Sequence, residues 1–310
     1  MTNRILDFSN QPAHLHAKGE TLEIKLSEGA AHAIPFAEIA ALIAAHPQVT
    51  ISQSALARLS EAGGVFVICS NNFTPVAMTL PLESHWYQAD RFVRQAALTE
   101  PRRKRLWQSI VREKIRMQAM VLAQVGESDH GLSALVARVQ SGDPQNVEAR
   151  AARTYWSKVF RDKSFVRSNP EDPRNALLNY GYAVLRACVA RAIAASGLHP
   201  SFGLHHRNKL NAFPLADDLM EPFRPLVDAQ VLQIVADKSQ PVALVPQTKQ
   251  SLLSILGCRF ASQGENRSLF DILSRMAQSL ARFILDKDPQ FLTGLDSPFP
   301  LQEEANPREV

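Results

Sequence analysis

The sequence predicts an α+β protein in which a β-rich domain precedes an all-α domain. Apolar and polar positions alternate in the first part of the chain, as they do in half-buried strands. From residue 86 the apolar positions recur at helical spacing, and the residues from 289 hold four prolines and an acidic excess. We therefore predict domains at 1–85 and 86–288, followed by an extended or disordered tail at 289–310.

The N-terminal elements follow from short apolar patterns and turn residues. Thr21–Leu26 alternates with period two, which predicts a strand. Apolar positions at i, i+3, i+4 and i+7 predict a short helix over 36–43. Ser54 is the expected cap of a helix that ends at Gly63. The continuous apolar run Val65–Cys69 predicts a strand that is buried on both faces.

Longer helical repeats predict the second domain. Within 105–125 the apolar residues Trp107, Val111 and Ile115 share one face, and basic residues collect on the opposite face. Further helices are predicted over 178–196, 227–235 and 269–283.

Composition excludes several classes of protein. Charged residues make up 21% of the chain and hydrophobic residues 45%, which is typical of a globular protein and not of a disordered one. The longest stretch without an acidic or basic residue, 62–82, contains two prolines and two asparagines, so no membrane span is expected. The N-terminus lacks the pattern of a signal peptide, and the three cysteines form no C-x-x-C pair. We expect a cytoplasmic protein without disulfides.

Positive charge is concentrated in one segment. The net charge of the chain is +4, but 91–116 alone holds nine basic and two acidic residues. Such a concentration points to a polyanionic partner, and nucleic acid is the commonest one in the cytosol. The alternative is a solvated helix face, and charge alone does not separate the two.

Glu148 falls on the apolar face of a predicted helix that continues through Ala152, Tyr155 and Val159. A carboxylate on a buried face is costly unless it is paired, protonated or bound to a metal. The alternative is a first-turn glutamate that satisfies helix N-terminal amides. This segment alone leaves both interpretations open.

Two further segments carry residues that could bind a metal. His205 and His206 lie in a loop rich in Gly, Pro and polar residues, and adjacent side chains point in different directions, so one of them at most is expected to face inward. If 215–224 opens a helix, Asp218 and Glu221 lie at i and i+3 and present two carboxylates on one side. The alternative for these acids is a first turn that complements the helix dipole.

Together the three segments supply several oxygen ligands and a single imidazole. Such a set suits Mg²⁺ or Mn²⁺ better than Zn²⁺. A divalent cation would activate a bound hydroxyl or water and neutralise charge on a phosphodiester. Beside a basic segment, the set predicts phosphoryl transfer on nucleic acid.

These segments resemble three motifs of one family, the CRISPR-associated integrase of spacer acquisition, which is the larger of the two proteins common to adaptation systems. Residues 148–156 read E-A-R-A-A-R-T-Y-W and resemble E-G-x-A-A-x-x-Y-F, with Ala149 in place of the usual glycine. Residues 200–206, P-S-F-G-L-H-H, resemble P-x-x-G-x-x-H. Residues 218–225, D-L-M-E-P-F-R-P, resemble D-L-x-E-x-F-R-P.

The order and spacing of the motifs make the resemblance specific. Glu148 precedes His206 by 58 residues, and His206 precedes Glu221 by 15. Counting along the second motif favours His206 over His205 as the ligand. The segment 106–116 resembles the version of the family found in type II systems.

The resemblance implies a β-rich dimerisation domain, an all-α catalytic domain and a set of catalytic residues. Glu148, His206 and Glu221 would hold Mg²⁺ or Mn²⁺, with Asp218 as a fourth ligand or as a group that contacts the ligands. The six residues expected to bind the DNA backbone without reading sequence are Arg102, Arg103, Lys104, Arg105, Arg112 and Arg116.

The resemblance also implies a reaction and partners. The 3′-hydroxyls of a short double-stranded DNA fragment would attack phosphodiesters at the ends of a CRISPR repeat, and the same site would act as a metal-dependent DNA endonuclease. Two homodimers would be bridged by a dimer of the small ferredoxin-like adaptation protein. Two other functions are weighed against this one, a non-catalytic DNA-binding scaffold and a metal-dependent phosphohydrolase of small molecules.

Overall fold

The computed structural model describes residues 4–27, 31–70, 75–79, 86–126, 128–206, 208, 210–239, 241–287, 290–291 and 294–301. The predicted domain boundary at 85 and 86 falls at the edge of residues 80–85, which lie outside the described residues. Strands dominate before this boundary and helices after it, so the predicted α+β class is confirmed.

Among the residues described before position 80, eight strands form two sheets. The strands are β1 (Arg4–Phe8), β2 (Ala13–Lys18), β3 (Thr21–Leu26), β4 (His32–Pro35), β5 (Ile39–Ala44), β6 (Thr50–Ile51), β7 (Val65–Cys69) and β8 (Pro75–Met78). One sheet has the order β1-β5-β7-β8, with β1, β5 and β7 parallel and β8 antiparallel to β7. The other has the order β4-β3-β2-β6, in which only the β2–β6 pair is parallel. The predicted strands at β3 and β7 are confirmed.

The sheet that contains β5 and β7 separates two hydrophobic cores. Leu42 and Phe66 face the core of the N-terminal part, whereas Ile43 and Val65 face the core that the helices fill. β5 is therefore buried on both faces along its whole length, and β7 is buried on both faces over 65–67, which explains their continuously apolar sequences; Ile68 in β7 is exposed, contrary to the prediction. Through this shared layer the N-terminal strands are packed directly on the helical part.

The prediction of a helix over 36–43 is wrong. Phe36–Glu38 forms a single 3-10 turn, and β5 begins at Ile39. All six residues of β5 are buried, so apolar residues occupy every position and satisfy helical spacing as well as strand spacing. The following helix, α1 (Gln53–Glu61), is capped by Ser52, whose hydroxyl accepts the N–H of Ala55 at 3.3 Å, and not by Ser54 as predicted.

Nine helices follow among the residues described after position 86. They are α2 (Gln88–Ala96), α3 (Glu100–Gly126), α4 (Leu132–Val136), α5 (Val147–Lys158), α6 (Pro173–Ala195), α7 (Pro214–Met220), α8 (Arg224–Ala236), α9 (Pro246–Gly257) and α10 (Leu269–Ile284). Helix α6 packs against α7, α8, α9 and α10 and is buried along most of its length. Helix α3 packs against α4, α5, α8 and a 3-10 turn at Glu221–Phe223, and so carries the elements of the predicted site.

The helical part is not all-α as predicted. Strands β9 (Arg259–Ser262) and β10 (Glu265–Ser268) form an antiparallel hairpin between α9 and α10. The hairpin is short, and Gln263 and Gly264 at its turn both have positive φ. Its four-residue strands are too short to give a clear period of two in the sequence.

Residues 294–301 of the predicted tail pack against the rest of the fold. Leu295 is buried, the N–H of Asp296 donates to the carbonyl of Ala261 at 3.0 Å, and the N–H of Leu301 donates to the carbonyl of Arg259 at 2.8 Å. This segment forms neither helix nor strand, and these bonds attach it to the β9–β10 hairpin. Residues 302–310, where the prediction also applies, lie outside the described residues.

No helix within the described ranges is long and apolar enough to span a membrane.

Candidate active site

A buried carboxylate organises the loop that carries the two histidines. The side chain of Asp218, in α7, has no exposed surface. One oxygen accepts the backbone N–H groups of Leu204 at 2.6 Å and His205 at 2.9 Å. The other accepts the N–H of His206 at 3.2 Å and lies 2.5 Å from Nδ1 of the same histidine. Both oxygens of Asp218 are therefore engaged in holding the loop.

A glycine allows this loop to close on itself. A Cβ atom added to Gly203 would lie 2.5 Å from the carbonyl oxygen of His206 and 2.9 Å from Cβ of Pro214. Neither distance is compatible with a side chain, so glycine is required here for close backbone approach. This explains the glycine in the loop motif.

The imidazole of His206 lies within range of the charges of the predicted acidic residues Glu221 and Glu148. Its hydrogen bond to Asp218 raises its pKa, burial opposes that shift, and the charges of Glu221 and Glu148 raise the pKa further. With Nδ1 engaged by the carboxylate, Nε2 is the nitrogen left to bind another group. The carboxylate thus fixes both the tautomer and the orientation of the ring.

His205 occupies a different environment. Its ring stacks on the indole of Trp107 in α3, with ring centroids 4.2 Å apart and an angle of 3° between the planes. The ring of His206 meets the same indole edge-on at 5.6 Å. This arrangement agrees with the sequence-based choice of His206 as the candidate ligand.

Glu148 lies in the first turn of α5 but does not cap the helix. The carboxylate of Asp143 accepts the N–H groups of Val147 and Glu148, both at 2.9 Å. The Glu148 carboxylate points instead toward α3, where Oε1 lies 2.6 Å from Nζ of Lys114. The geometry therefore supports the inward-facing interpretation of Glu148 over the capping one.

Glu221 lies in the 3-10 turn between α7 and α8 and is buried. Its Oε1 accepts a hydrogen bond from Nη1 of Arg224 at 2.8 Å, and its Oε2 lies 2.5 Å from Nζ of Lys114. Burial alone would raise the pKa of Glu221, but Lys114 and Arg224 outweigh it and lower the pKa to about 2. The carboxylate is therefore ionised at neutral pH.

Lys114 joins the two glutamates and was not among the predicted site residues. Its side chain is only 12% exposed. Burial opposes its charged form, but the charges of Glu221 and Glu148 prevail and raise its pKa. A signal was present in the sequence, because Trp107, Val111 and Lys114 follow one another at spacings of four and three and so share the apolar face of α3.

The arrangement brings the predicted donors to one place without forming a finished metal site. Because both glutamate oxygens contact the same nitrogen, about 5 Å at most separates Oε1 of Glu148 from Oε2 of Glu221. In the part of the chain that the structure describes, no three acidic, histidine or cysteine side chains already lie at ion-binding distances. Two carboxylates and one free imidazole nitrogen match a divalent cation in chemical type. Lys114 holds the space between the carboxylates.

The six basic residues predicted on α3 do not form one free surface. Four of their guanidinium groups are bonded within the fold: Arg102 to the carbonyl of Phe283 and to Asp286, Arg103 to the carbonyl of Leu98, Arg112 to the carbonyl of Val139, and Arg116 to Glu113 and the carbonyl of Asp296. Lys104 is exposed and pairs with Glu100 at 2.9 Å, and Arg105 is exposed. A helical wheel shows which face is basic but not which charges tertiary contacts use.

Helix α5 carries a second group of cations that the prediction did not include. Arg150, Arg153 and Lys158 are exposed on the helix that begins beside Glu148. Within the described ranges, none of the three forms an ion pair with a carboxylate. We call this group the α5 basic face.

Comparison with solved structures gives the same fold. A casposase bound to an integration product superposes with a TM-score of 0.77 at 20% identity, covering 94% of this chain and 93% of that one. A Cas1 protein from Thermotoga maritima gives a TM-score of 0.73 at 17% identity, covering 92% of this chain and 98% of that one. At such low sequence identity, these superpositions show a shared fold and nothing more.

Sequence comparison identifies the family. The "CRISPR-associated endonuclease Cas1" of Neisseria meningitidis serogroup C (strain 8013) is 36% identical over 277 residues, which cover 89% of this chain and 90% of the relative. The "CRISPR-associated endonuclease Cas1 2" of Pyrobaculum aerophilum is 29% identical over 284 residues, covering 87% of this chain and 95% of the relative. The family profile described as "CRISPR associated protein Cas1" matches residues 8–254, and the chain therefore belongs to the Cas1 family.

Proposed function

We propose that the chain is a metal-dependent DNA endonuclease and integrase of CRISPR adaptation. The observation that carries the proposal is the convergence of Glu148 and Glu221 on the ammonium group of Lys114, within range of His206, which Asp218 holds in place. The function agrees with family membership and with relatives described as endonucleases.

In this proposal Glu148, His206 and Glu221 hold a divalent cation, Mg²⁺ or Mn²⁺. When bound, the cation would polarise the scissile phosphate and favour ionisation of the attacking hydroxyl. Asp218 would orient the imidazole without binding the ion, because its two oxygens already accept three backbone N–H groups and face Nδ1 of His206. The sequence left the role of Asp218 open, and the geometry supports this one.

The proposed reaction is a transesterification. The 3′-oxygen of a short DNA fragment forms a bond to phosphorus at the end of a CRISPR repeat, and the bond from that phosphorus to the 3′-oxygen of the adjoining nucleotide breaks. The attacking hydroxyl loses one proton and the leaving oxygen gains one, so one phosphodiester replaces another. Much of the catalytic effect would come from holding the hydroxyl in line with the phosphate.

DNA and protein partners are part of the proposal. A solved "Cas6-RT-Cas1--Cas2 complex" contains a region that this chain matches with a TM-score of 0.73 at 18% identity, over 98% of this chain and 36% of that one. We propose that this chain forms homodimers through its β-rich domain, 1–85, and that a dimer of the small ferredoxin-like adaptation protein bridges two of them. The catalytic domain would be 86–288.

The bound DNA would follow exposed cations beside the site. Lys104 and Arg105 of the predicted set are exposed on α3. The α5 basic face lies on the helix that carries Glu148, and its charges are free of ion pairs within the described ranges. Phosphate contacts of this kind provide affinity without sequence preference.

A strand-transfer assay tests the function. Short DNA duplexes, a repeat-bearing plasmid and the small partner protein are incubated with and without Mn²⁺. Glu148→Gln, His206→Ala and Glu221→Gln should each lower the rate by more than about a hundredfold while DNA binding persists. Glu171→Gln, which changes an exposed carboxylate outside the site, is the matched control. A non-catalytic scaffold would handle DNA equally well with all four variants, and a phosphohydrolase would release phosphate from nucleotides without DNA.

A further inference from the structure

Lys114 occupies the position that a metal bridging the two glutamates would need. Its ammonium nitrogen lies 2.6 Å from Oε1 of Glu148 and 2.5 Å from Oε2 of Glu221. The remaining oxygen of Glu221 is bonded to Arg224 at 2.8 Å. Both oxygens of Glu221 therefore contact side-chain cations.

A divalent cation and this ammonium group exclude each other. Carboxylate oxygens bind Mg²⁺ at about 2.0–2.1 Å, so an ion on the same two oxygens would lie almost where the nitrogen now lies. Two positive charges so close in a buried site repel strongly, because little water screens them. An ion that bridges Glu148 and Glu221 can enter only when Lys114 withdraws.

The lysine side chain is suited to withdrawal. Its ammonium group sits at the end of a flexible four-carbon stem, so it can leave the carboxylates by side-chain rotation without movement of the α3 backbone. Arg224 differs in this respect, because its guanidinium also packs over the ring of Tyr182 at 4.2 Å. Of the two cations on Glu221, Lys114 is the one that can be displaced.

We propose that Lys114 is a displaceable internal counter-ion that competes with the divalent cation for Glu148 and Glu221. It keeps the buried carboxylate of Glu221 and the part-buried carboxylate of Glu148 together while no metal is bound, and it weakens metal binding until it is expelled. This inference rests on the proposed function, because it takes the two glutamates as metal ligands. It adds a residue that sets how tightly the site holds its ion.

Metal affinity without DNA gives a direct test. Mn²⁺ binding to the full-length chain is measured by calorimetry for the wild type and for Lys114→Met, which removes the ammonium group and keeps an unbranched apolar stem. We expect Lys114→Met to bind Mn²⁺ at least tenfold more tightly. Lys114→Arg keeps the charge and should stay within about threefold of the wild type. Lys18→Met, which removes an exposed ammonium from its 3.3 Å pair with Glu23, should leave the affinity unchanged.

The results of these binding experiments distinguish failure of this inference from failure of the proposed function. Equal or weaker Mn²⁺ binding by Lys114→Met would overturn the role of Lys114 and leave the proposed metal site standing. If the wild type binds no Mn²⁺, or if Glu148→Gln binds Mn²⁺ as tightly as the wild type, both the role of Lys114 and the proposed metal site are overturned.

A second measurement needs no variant and therefore does not depend on the folding of Lys114→Met. In a crystal structure of the wild-type chain with Mn²⁺, Nζ of Lys114 should lie beyond 4 Å from Glu221, outside ion-pair distance. An ion bound by Glu148 and Glu221 with both lysine contacts intact would disprove the competition.

Discussion

Nδ1 of His206 lies 2.5 Å from Oδ1 of Asp218, whose side chain is completely buried. The same carboxylate accepts the N–H groups of three successive loop residues, 204–206. A single acidic side chain thus fixes both the loop backbone and the ring that the loop presents. Asp218 is better described as the support of the candidate ligand than as a ligand.

Asp218→Asn should damage the loop and the reaction together. An amide has one oxygen where the carboxylate has two, so its NH₂ group would face backbone N–H donors. We expect a loss of about 1–3 kcal/mol in the free energy of unfolding. The rate of strand transfer should fall by about 10- to 100-fold. Urea denaturation and the strand-transfer assay measure the two effects.

Asp217→Asn is the matched control for this prediction. Asp217 is the neighbouring acid of α7 and pairs with Arg186 at 2.5 Å, away from the loop N–H groups. Its variant should retain strand transfer. Equal losses of activity in both variants would show that α7 is sensitive to charge in general and that Asp218 has no special part.

The two adjacent histidines should respond oppositely to substitution. His206→Ala removes the imidazole that we propose as a metal ligand and should abolish strand transfer with the fold intact. His205→Ala removes a ring stacked on Trp107, so it should lower stability by about 0.5–1.5 kcal/mol and leave most of the activity. Strand-transfer assays with Mn²⁺ and thermal unfolding of both variants measure the two effects. Loss of activity in His205→Ala alone would reverse the assignment.

The sequence alone correctly predicted the elements that have a regular local pattern. The apolar stripe of Trp107, Val111 and Ile115 predicted the buried face of α3, and all three residues are buried. Alternation predicted β3, and the three motifs led to the family. Where every position is apolar, as in β5, spacing no longer distinguishes a strand from a helix, and the prediction over 36–43 was wrong.

Local sequence patterns did not predict which side chains pair in the folded protein. Lys114 and Glu148 lie 34 residues apart in the sequence, so no local pattern around either residue indicates that they form an ion pair. The same limit applies to the basic face of α3. Arg112 and Arg116 lie where the helical wheel places them, yet carbonyl oxygens from distant segments bind their guanidinium groups. Charge patterns predict where cations lie, and only the fold determines which of them remain available.

Asp228 should make stability depend on pH. It is buried between α5 and α6, accepting a hydrogen bond from the hydroxyl of Tyr155 at 2.8 Å and another from Tyr182. Burial raises the pKa of Asp228 to about 6, although the hydrogen bonds from the two tyrosines act against it. In the unfolded chain its pKa is about 3.9. The folded state therefore holds the proton more tightly, and Asp228 stabilises the fold at low pH.

This contribution should be fully present below about pH 4 and lost as the pH rises through 6. The loss is on the order of 3 kcal/mol, from a shift of about two pKa units. Urea denaturation of the wild type and Asp228→Asn between pH 4 and 7 isolates it, since other carboxylates are common to both proteins. The difference between the two unfolding free energies should shrink with rising pH. A constant difference would show that Asp228 ionises normally.

Salt dependence should distinguish free cations from bonded ones. Each phosphate contact adds about 0.9 to the slope of log affinity against log salt concentration. Neutralising the α5 basic face with Arg150→Gln, Arg153→Gln and Lys158→Gln should therefore reduce the slope by up to about 2.7, with little change in stability. DNA-binding titrations from low to moderate salt measure it.

Arg112→Gln combined with Arg116→Gln gives the contrast. Both guanidinium groups already bond carbonyl oxygens of the folded chain, although Arg112 is exposed, so their loss should lower the free energy of unfolding by about 1–3 kcal/mol and reduce the salt slope by less per charge than the α5 variants do. If instead this pair lowers the slope and the α5 variant does not, the DNA lies along α3 as the sequence predicted. Because the α5 set removes three positive charges and the α3 pair removes two, the change in slope is compared per charge removed. What the comparison measures is whether a cation is already bonded within the folded chain.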